Sequence, residues 1–406
     1  MSRSFVQAVP FVSMLLLSAC NTPADPTNRP PTVSAGLDQT VPLRAEVALS
    51  GVAGDSDGDT LSASWSGDGA TFSDKTALRT TATFTQAGRY TLTLAVSDGF
   101  TTVNDEVNVT VTDAPLGTGA WETLPPTSTA RQEVSYVQLG GKFYLAGGSA
   151  LHEVYDPVAR TWGTLEPLPK NLDHIQGVTV GSNIYYLGGL AGWPGPAVRT
   201  VYSYNSATDS FTEGAPLPEG RGAGGVAVFG GKIYYAGGLS DFEVQTSFDV
   251  YDPATDAWAE LPEMPHARDH FHAAVLNGKF YAVGGREAKL NATIPFVDAF
   301  DFKTQTWTTL DTSLPTERGG FATAVLGGEI LIIGGEGGGT HAEVEAYNPA
   351  TNVWRTLEPM PTARHGVQAA VCNGGVYLAA GGVKQGIGPS TVHEVFSLGK
   401  LEPCTH

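Results

Sequence analysis

Positive charge is scarce in this chain. Lys and Arg number 23 against 41 Asp and Glu over 406 residues, a formal net charge of −18. Nucleic-acid partners are excluded on that ground, because phosphate contacts need clustered Lys and Arg. Charged residues of either sign make up only 16%, whereas Gly and Pro supply 50 and 26 positions. That balance suits an all-β protein with many tight turns better than a helical one. Long apolar runs are missing too, except in residues 5–17, which are too short to span a bilayer. The length exceeds what a single core usually takes, so two or more folded units are expected.

Residues 1–20 read as a targeting segment, with Arg3 as the only charge ahead of the apolar run "FVQAVPFVSMLLL". The run ends in "LSAC", Leu17 to Cys20, which resembles the lipobox of bacterial lipoproteins. The resemblance implies that the Cys20 thiol carries a diacylglycerol and that the chain is exported and lipid-anchored in the cell envelope. Cys372 and Cys404 are the other two cysteines. In an exported protein they could pair and pin the C-terminus. Cys372 in "VQAAVC" also reads as an unbridged core residue, and that is the favoured expectation.

Residues 21–31, "NTPADPTNRPP", form a Pro-rich solvated tether. From 32 to 112 short strands are expected. In "GRYTLTLAVSDG", Tyr90, Leu92, Leu94 and Val96 alternate with polar or small residues, and Val107, Val109 and Val111 do so again. The phrases "PPTVSAGLDQTV", "GDSDGDTLSASWS" and "AGRYTLTLAVSDG" resemble a PKD or cadherin-like domain of the immunoglobulin-like class, a spacer or adhesive β-sandwich. Asp55, Asp57 and Asp59 offer clustered carboxylates for Ca2+. Gly58 falls too early for an EF-hand loop and Ser66 replaces its closing Glu. A cadherin-like Ca2+ site or a plain Asx-rich turn remains. No other cofactor is expected.

After a linker at 113–119, residues 120–406 write nearly the same phrase six times, "GGKIYYAGG" at 230–238 among them. The glycine pairs begin at 147, 188, 237, 284, 334 and 381. Trp121, Trp162, Phe211, Trp258, Trp307 and Trp354 precede them by 26 or 27 residues. Tyr155, Tyr204, Tyr251, Phe300 and Tyr347 form a third ladder, each seven before the next large aromatic. Three registers locked at one period are those of propeller blades. "VYDPVARTW", "VYDPATDAW" and "AYNPATNVW" closely resemble kelch repeats, which implies a six-bladed β-propeller. The last repeat lacks its outer strand, and "AWETL" at 120–124 has no blade of its own. One end is expected to complete the blade made by the other.

Several positions are candidates for a site on the propeller. Arg131, Arg221, Arg268 and Arg318 stand 16 residues before their glycine pairs. Arg364 stands 17 before its pair, suggesting an inserted residue, and Leu172 interrupts the series. A ring of Arg invites an anion ligand at Arg131, Arg268, Arg318 and Arg364, although Arg in the kelch pattern also bonds loop carbonyls. Two positions further on come Glu133, His174, Ala223, His270, Gly320 and Gly366, expected at the rim of the central channel. In "HARDHFH", His270 and His272 would face one way on a strand and share a divalent metal, or else be solvated loop histidines. Trp193 in "AGWPGP" lies off the Trp ladder. It is expected to project for sugar stacking or a protein contact, or to pack on its own loop.

Two function classes follow. The first is an envelope-anchored binding protein, monomeric, whose propeller face takes a glycan or a protein. The alternative is a sugar mutarotase or epimerase-like enzyme, a kind the kelch resemblance includes, with Glu133, His174, His270 and Arg268 at the channel mouth. Copper-radical oxidases share the fold but need a Tyr crosslinked to Cys, and neither available cysteine is placed for that.

Overall fold

The computed structural model describes residues 28–42, 46–112, 117–287, 289–401 and 404. The targeting segment with Cys20, residues 21–27 of the tether and 113–116 of the linker lie outside the described residues. All regular structure among the described residues is β.

The N-terminal unit is a sandwich. One sheet runs Gln39–Pro42, Thr102–Thr112, Gly88–Ser97, Ser62–Ser66, and the other Val47–Ser50, Arg79–Phe84, Ala70–Phe72. The period-2 patterning works as physics requires: Leu92, Leu94, Val96, Val107 and Val109 are fully buried between the sheets, around Trp65. The Trp65 indole would be stranded there, but Nε1 donates to Ala77 O at 3.1 Å.

Six four-stranded antiparallel sheets form the propeller. The first is Val134–Leu139, Lys142–Gly147, Glu153–Asp156 and Thr161–Thr164, and the next four repeat that order. The sixth takes Ala369–Cys372, Gly375–Ala379 and His393–Ser397 from one end of the array and Ala120–Thr123 from the other. At this seam Trp121 lies opposite Phe396. That is the same aromatic pair as Trp162 with Tyr155 and Trp258 with Tyr251 in unbroken blades.

The Trp ladder also ties blade to blade. Three indoles donate to a carbonyl just past the outer strand of the preceding blade, Trp162 to Pro125 (3.0 Å), Trp258 to Ala215 (2.9 Å) and Trp307 to Pro262 (2.8 Å), and Trp354 donates to the Thr312 hydroxyl of that strand (3.1 Å). Trp121 donates to Glu358 O at 2.9 Å, so this tie crosses the seam as well.

The glycine pairs allow a backbone that side chains resist. Gly238 has φ +101°, and a Cβ there would sit 2.6 Å from Gly222 O in the same blade. In the sixth blade the equivalent pair is Ala380 and Gly381, at φ +66° and +94°, one residue earlier than the glycine spelling suggested. Arg364 therefore stands 16 before its pair like the others, and nothing is inserted.

Cys372 and Cys404 are joined, with Cα atoms 5.6 Å apart. The expectation of an unbridged core cysteine is corrected: Cys372 is buried at the end of its strand, and the tail folds back to meet it.

Candidate functional site

The arginines come first, because they frame the centre without belonging to it. Arg131, Arg221, Arg268, Arg318 and Arg364 are 0–2% exposed. Each is ion-paired within its own blade to the third strand: Arg131 to Glu153, Arg221 to Asp249, Arg268 to Asp298, Arg318 to Glu345 and Arg364 to Glu394. Further N–H groups donate to backbone carbonyls, as from Arg268 to Gly284 O (2.9 Å) and from Arg318 to Gly334 O (2.6 Å). A guanidinium so enclosed has no face toward a ligand. Arg131, Arg268, Arg318 and Arg364 are thus structural rather than anion-binding, and Arg268 is removed from the acid–base set.

Two residues past each arginine position the chain turns from the inter-blade loop into the inner strand. All six rim residues adopt left-handed backbone: Glu133, His174, Ala223 and His270 at φ +49° to +55°, Gly320 and Gly366 at +64° and +62°. They form a belt of hydrogen bonds around the axis. His174 N donates to Glu133 O, Ala223 N to His174 O, His270 N to Ala223 O, Gly320 N to His270 O, Gly366 N to Gly320 O, and Val134 N to Gly366 O, at 2.5–3.2 Å. Glycine takes this conformation without strain, and two blades use it. Where Glu133, His174 and His270 stand instead, the strain points to what their side chains do.

Those side chains meet on the axis. His174 Nε2 and His270 Nε2 are 3.0 Å apart, and Glu133 Oε2 is 3.6 Å from His174 Nε2. Each histidine is oriented by the residue before it, His174 Nδ1 by Asp173 Oδ1 (2.7 Å) and His270 Nδ1 by Asp269 Oδ1 (2.8 Å). Arg286 braces Asp269 (3.0 Å) and Glu336 (2.6 Å). His365 lies between Glu133 and Glu336, 3.5 Å from each, and its Nε2 donates to Lys384 O at 2.9 Å. Gly366 makes room, since a Cβ there would fall 2.4 Å from Glu133 Oε1.

Burial opposes the Glu133 charge, but His174, His365 and His270 outweigh it and hold that carboxyl well below its usual range. His174 is raised, burial being overcome by Glu133 and Asp173. His270 is lowered by burial and Arg286. His365 is raised, burial yielding to Glu133 and Glu336.

Burial pushes His272 down to about 4. The expected pairing of His270 with His272 fails. The left-handed turn at 270 precedes the strand, which starts at Ala273, so strand alternation does not govern these two. The partner of His270 is His174. Sequence reasoning missed His365, Arg286, Glu336 and the orienting Asp173. The repeated dipeptide Asp-His at 173–174 and 269–270 was the available signal.

Over this cluster lies an apolar fringe. Trp193 is 53% exposed, Phe242 55%, Leu290 39% and Ile387 70%. All four sit on connections between second and third strands, hence on one face. The Trp193 ring lies 5.4 Å from that of His174 and 6.2 Å from that of Phe242. Loops of the fourth, fifth and sixth blades are knitted together through Asn291, which accepts from Gly338 N (3.2 Å) and from Gln385.

In the sandwich the carboxylates that come together are Asp55, Asp59 and Asp98, within 4.8 Å. Asp57 is replaced in that set by Asp98, because it turns instead to Arg29, whose backbone N–H it accepts at 2.6 Å. Asp55 Oδ2 and Asn28 Oδ1 are buried without hydrogen-bond partners, an oxygen set that fits Ca2+. Asp55 Oδ1 also accepts from Asp57 N at 2.7 Å, so an Asx turn is present regardless.

Six four-stranded sheets closed into a ring define the class of β-propellers. A family profile described as "KLHDC2/KLHL20/DRC7 Kelch-repeats domain" matches residues 177–382, and a PKD domain profile matches 28–112. The chain belongs to the kelch-repeat family, with a PKD domain ahead of the propeller. It is 30% identical over 313 residues to Kelch-like protein terF of Aspergillus terreus, covering 68% of each chain. To human Kelch-like protein 23 it is 28% identical over 245 residues, spanning 59% of this chain and 43% of that one. The solved structure of YjhT aligns with TM-score 0.59 at 16% identity, over 68% of this chain and 97% of that chain, a likeness of fold.

Proposed function

We propose that the chain is a binding protein whose ligand, a glycan or a polypeptide, seats on the loop face at the axial mouth. One observation carries this reading: Trp193, Phe242, Leu290 and Ile387 are exposed on one face, with Trp193 5.4 Å from the rim residue His174. Isolated exposed apolar side chains need no explanation, but a fringe on variable loops of a rigid scaffold does. Trp193 suits a sugar ring or a protein contact, whereas aliphatic Leu290 and Ile387 favour a polypeptide. The test compares the full chain with Trp193→Ala and Ile387→Ser on glycan arrays and immobilised envelope fractions. Each change should weaken binding by about 1–3 kcal/mol. Val353→Ser, 56% exposed on an outer strand, should not. Equal binding by all four proteins contradicts the reading.

The same reading takes the protein as an exported monomer held to the envelope by lipid on Cys20. The Cys372–Cys404 bridge supports export, since such bonds persist in oxidising compartments. Cys20→Ala should release the protein from membranes, and a mutant that still resists salt extraction contradicts the anchor.

A second reading, a sugar isomerase, is favoured by the acid–base groups Glu133, His174 and His270 at the mouth. Glu133→Gln would then abolish turnover while keeping affinity, whereas a pure binder would change only in affinity.

A further inference from the structure

Asp173 and Asp269 are acceptors, so the nitrogen each faces, Nδ1 of His174 and of His270, is the one that carries the hydrogen. Both Nε2 atoms are then left with lone pairs, and they point at one another across 3.0 Å. Two lone pairs at that separation repel unless a proton or a cation lies between them. A carboxylate oxygen, Glu133 Oε2, completes a triangle whose corners all lie within 4.8 Å.

We propose that Glu133, His174 and His270 form a binding site for a divalent transition metal of the Zn2+ class on the propeller axis. Four ligands at the usual bond lengths of about 2.0–2.2 Å stand at the corners of a tetrahedron with edges of about 3.3–3.6 Å. Two of the observed separations, 3.0 Å from nitrogen to nitrogen and 3.6 Å from His174 to the carboxylate oxygen, lie close to that edge, and the third, from Glu133 to His270, is within 4.8 Å. Two imidazoles and one carboxylate are a Zn2+ ligand set, and three protein ligands leave the fourth position open.

The surroundings are those of a metal site. Histidine ligands characteristically give their other N–H to a carboxylate, as both do here. Arg286 holds Asp269 in place. His365 is fully buried, and its Nδ1 makes no hydrogen bond while aimed at the far oxygen of Glu133, 3.5 Å away. Of the four carboxylates around the histidines, Asp269 and Glu336 pair with the Arg286 guanidinium, whereas Asp173 and Glu133 have histidine partners. Three separate blades deliver the ligands, and the belt of backbone hydrogen bonds fixes the distance between them. Ala223, between the two histidines on that belt, has no side chain long enough to obstruct the centre.

This site does not depend on the ligand-binding reading above, and its test is separate. Full-length protein without a histidine tag is stripped with a chelator and titrated with ZnCl2 by calorimetry, with metal content measured after dialysis. One Zn2+ per chain is expected. His174→Ala and His270→Ala should each weaken binding by at least about 100-fold, and Asp269→Asn, which removes an orienting group only, by about 10- to 100-fold. His341→Ala, a histidine outside the cluster, should bind as wild type does. Co2+ should give the visible absorption of a low-coordinate ion in the wild type and not in the two histidine variants. Should either alanine variant fail to fold, Glu133→Gln and Asp269→Asn decide. No Zn2+ uptake by the stripped wild type at micromolar metal, or equal affinity in the cluster variants, overturns the proposal.

Discussion

Leu172 and Tyr202 pack into one core cluster of the second blade, at the two positions that a buried arginine and a carboxylate occupy in the other five. Neither partner of the ion pair survives there without the other. The co-occurrence follows from desolvation: removing one member leaves a buried charge uncompensated, while replacing both by packed apolar surface costs little.

Arg221→Leu is therefore expected to destabilise the protein by about 3–5 kcal/mol, because Asp249 stays buried and unpaired. The double variant Arg221→Leu, Asp249→Tyr copies the second blade and should recover much of that loss. Urea denaturation of both variants checks it. A double variant as unstable as the single one would show that the correlation has another origin.

Much of this was legible in the sequence. The glycine, Trp and Tyr registers give six blades because a repeat must present the same packing surface each time. The acid partners were written there too, two residues before the ladder aromatic in every blade but the second, as in Glu153 before Tyr155 and Glu345 before Tyr347. What misled was local. Ala380 takes a glycine position in the sixth blade, so counting from Gly381 gave Arg364 a false extra residue. His270 looked like a strand residue beside His272, whereas its positive φ turns it toward His174 from another blade. His365 stood one residue before a rim glycine, where no repeat pattern marked it. The two histidines that meet on the axis stand 96 residues apart, and no local period records such a contact.

The seam joining Ala120–Thr123 to His393–Ser397 should contribute strongly to stability. Removing residues 117–126 exposes a strand edge and takes away Trp121, an expected loss of several kcal/mol. Removing 28–112 should leave the melting temperature of the propeller nearly unchanged. Calorimetric scans of both truncations compare them, and equal losses would contradict the division.

Cys372 and Cys404, 32 residues apart, close a loop whose restriction stabilises the fold by about 3–4 kcal/mol. Cys404→Ser should lower the denaturation midpoint accordingly, and added reductant should lower only the wild type. Insensitivity of both to these changes would mean the bridge does not form in solution.

His152 is fully buried and accepts a hydrogen bond from Tyr186 OH at 3.0 Å, and burial lowers it from 6.5 to about 4. Its counterpart His393, against Tyr136, is lowered to about 3. Both stay neutral in the folded state while the unfolded chain takes up protons below about pH 6.5. Stability from these groups is complete above that pH and falls as pH drops toward 4, by about 2–3 kcal/mol for His152 alone at pH 4.5. Denaturation at pH 7.5 and 4.5 should show a smaller acid loss in His152→Phe with Tyr186→Phe than in the wild type. An identical loss would assign the acid sensitivity elsewhere.

The central claim is that partners approach along the axis, onto the face bearing Trp193 and Ile387. Photo-crosslinking tests it most directly, with a benzophenone amino acid at position 387 or at position 353 on the outer edge of the fifth blade. Incubated with native envelope material, the protein labelled at 387 should yield a discrete adduct that Trp193→Ala reduces, and the protein labelled at 353 should yield none. Adducts at 353 alone, or equally at both positions, would contradict the account.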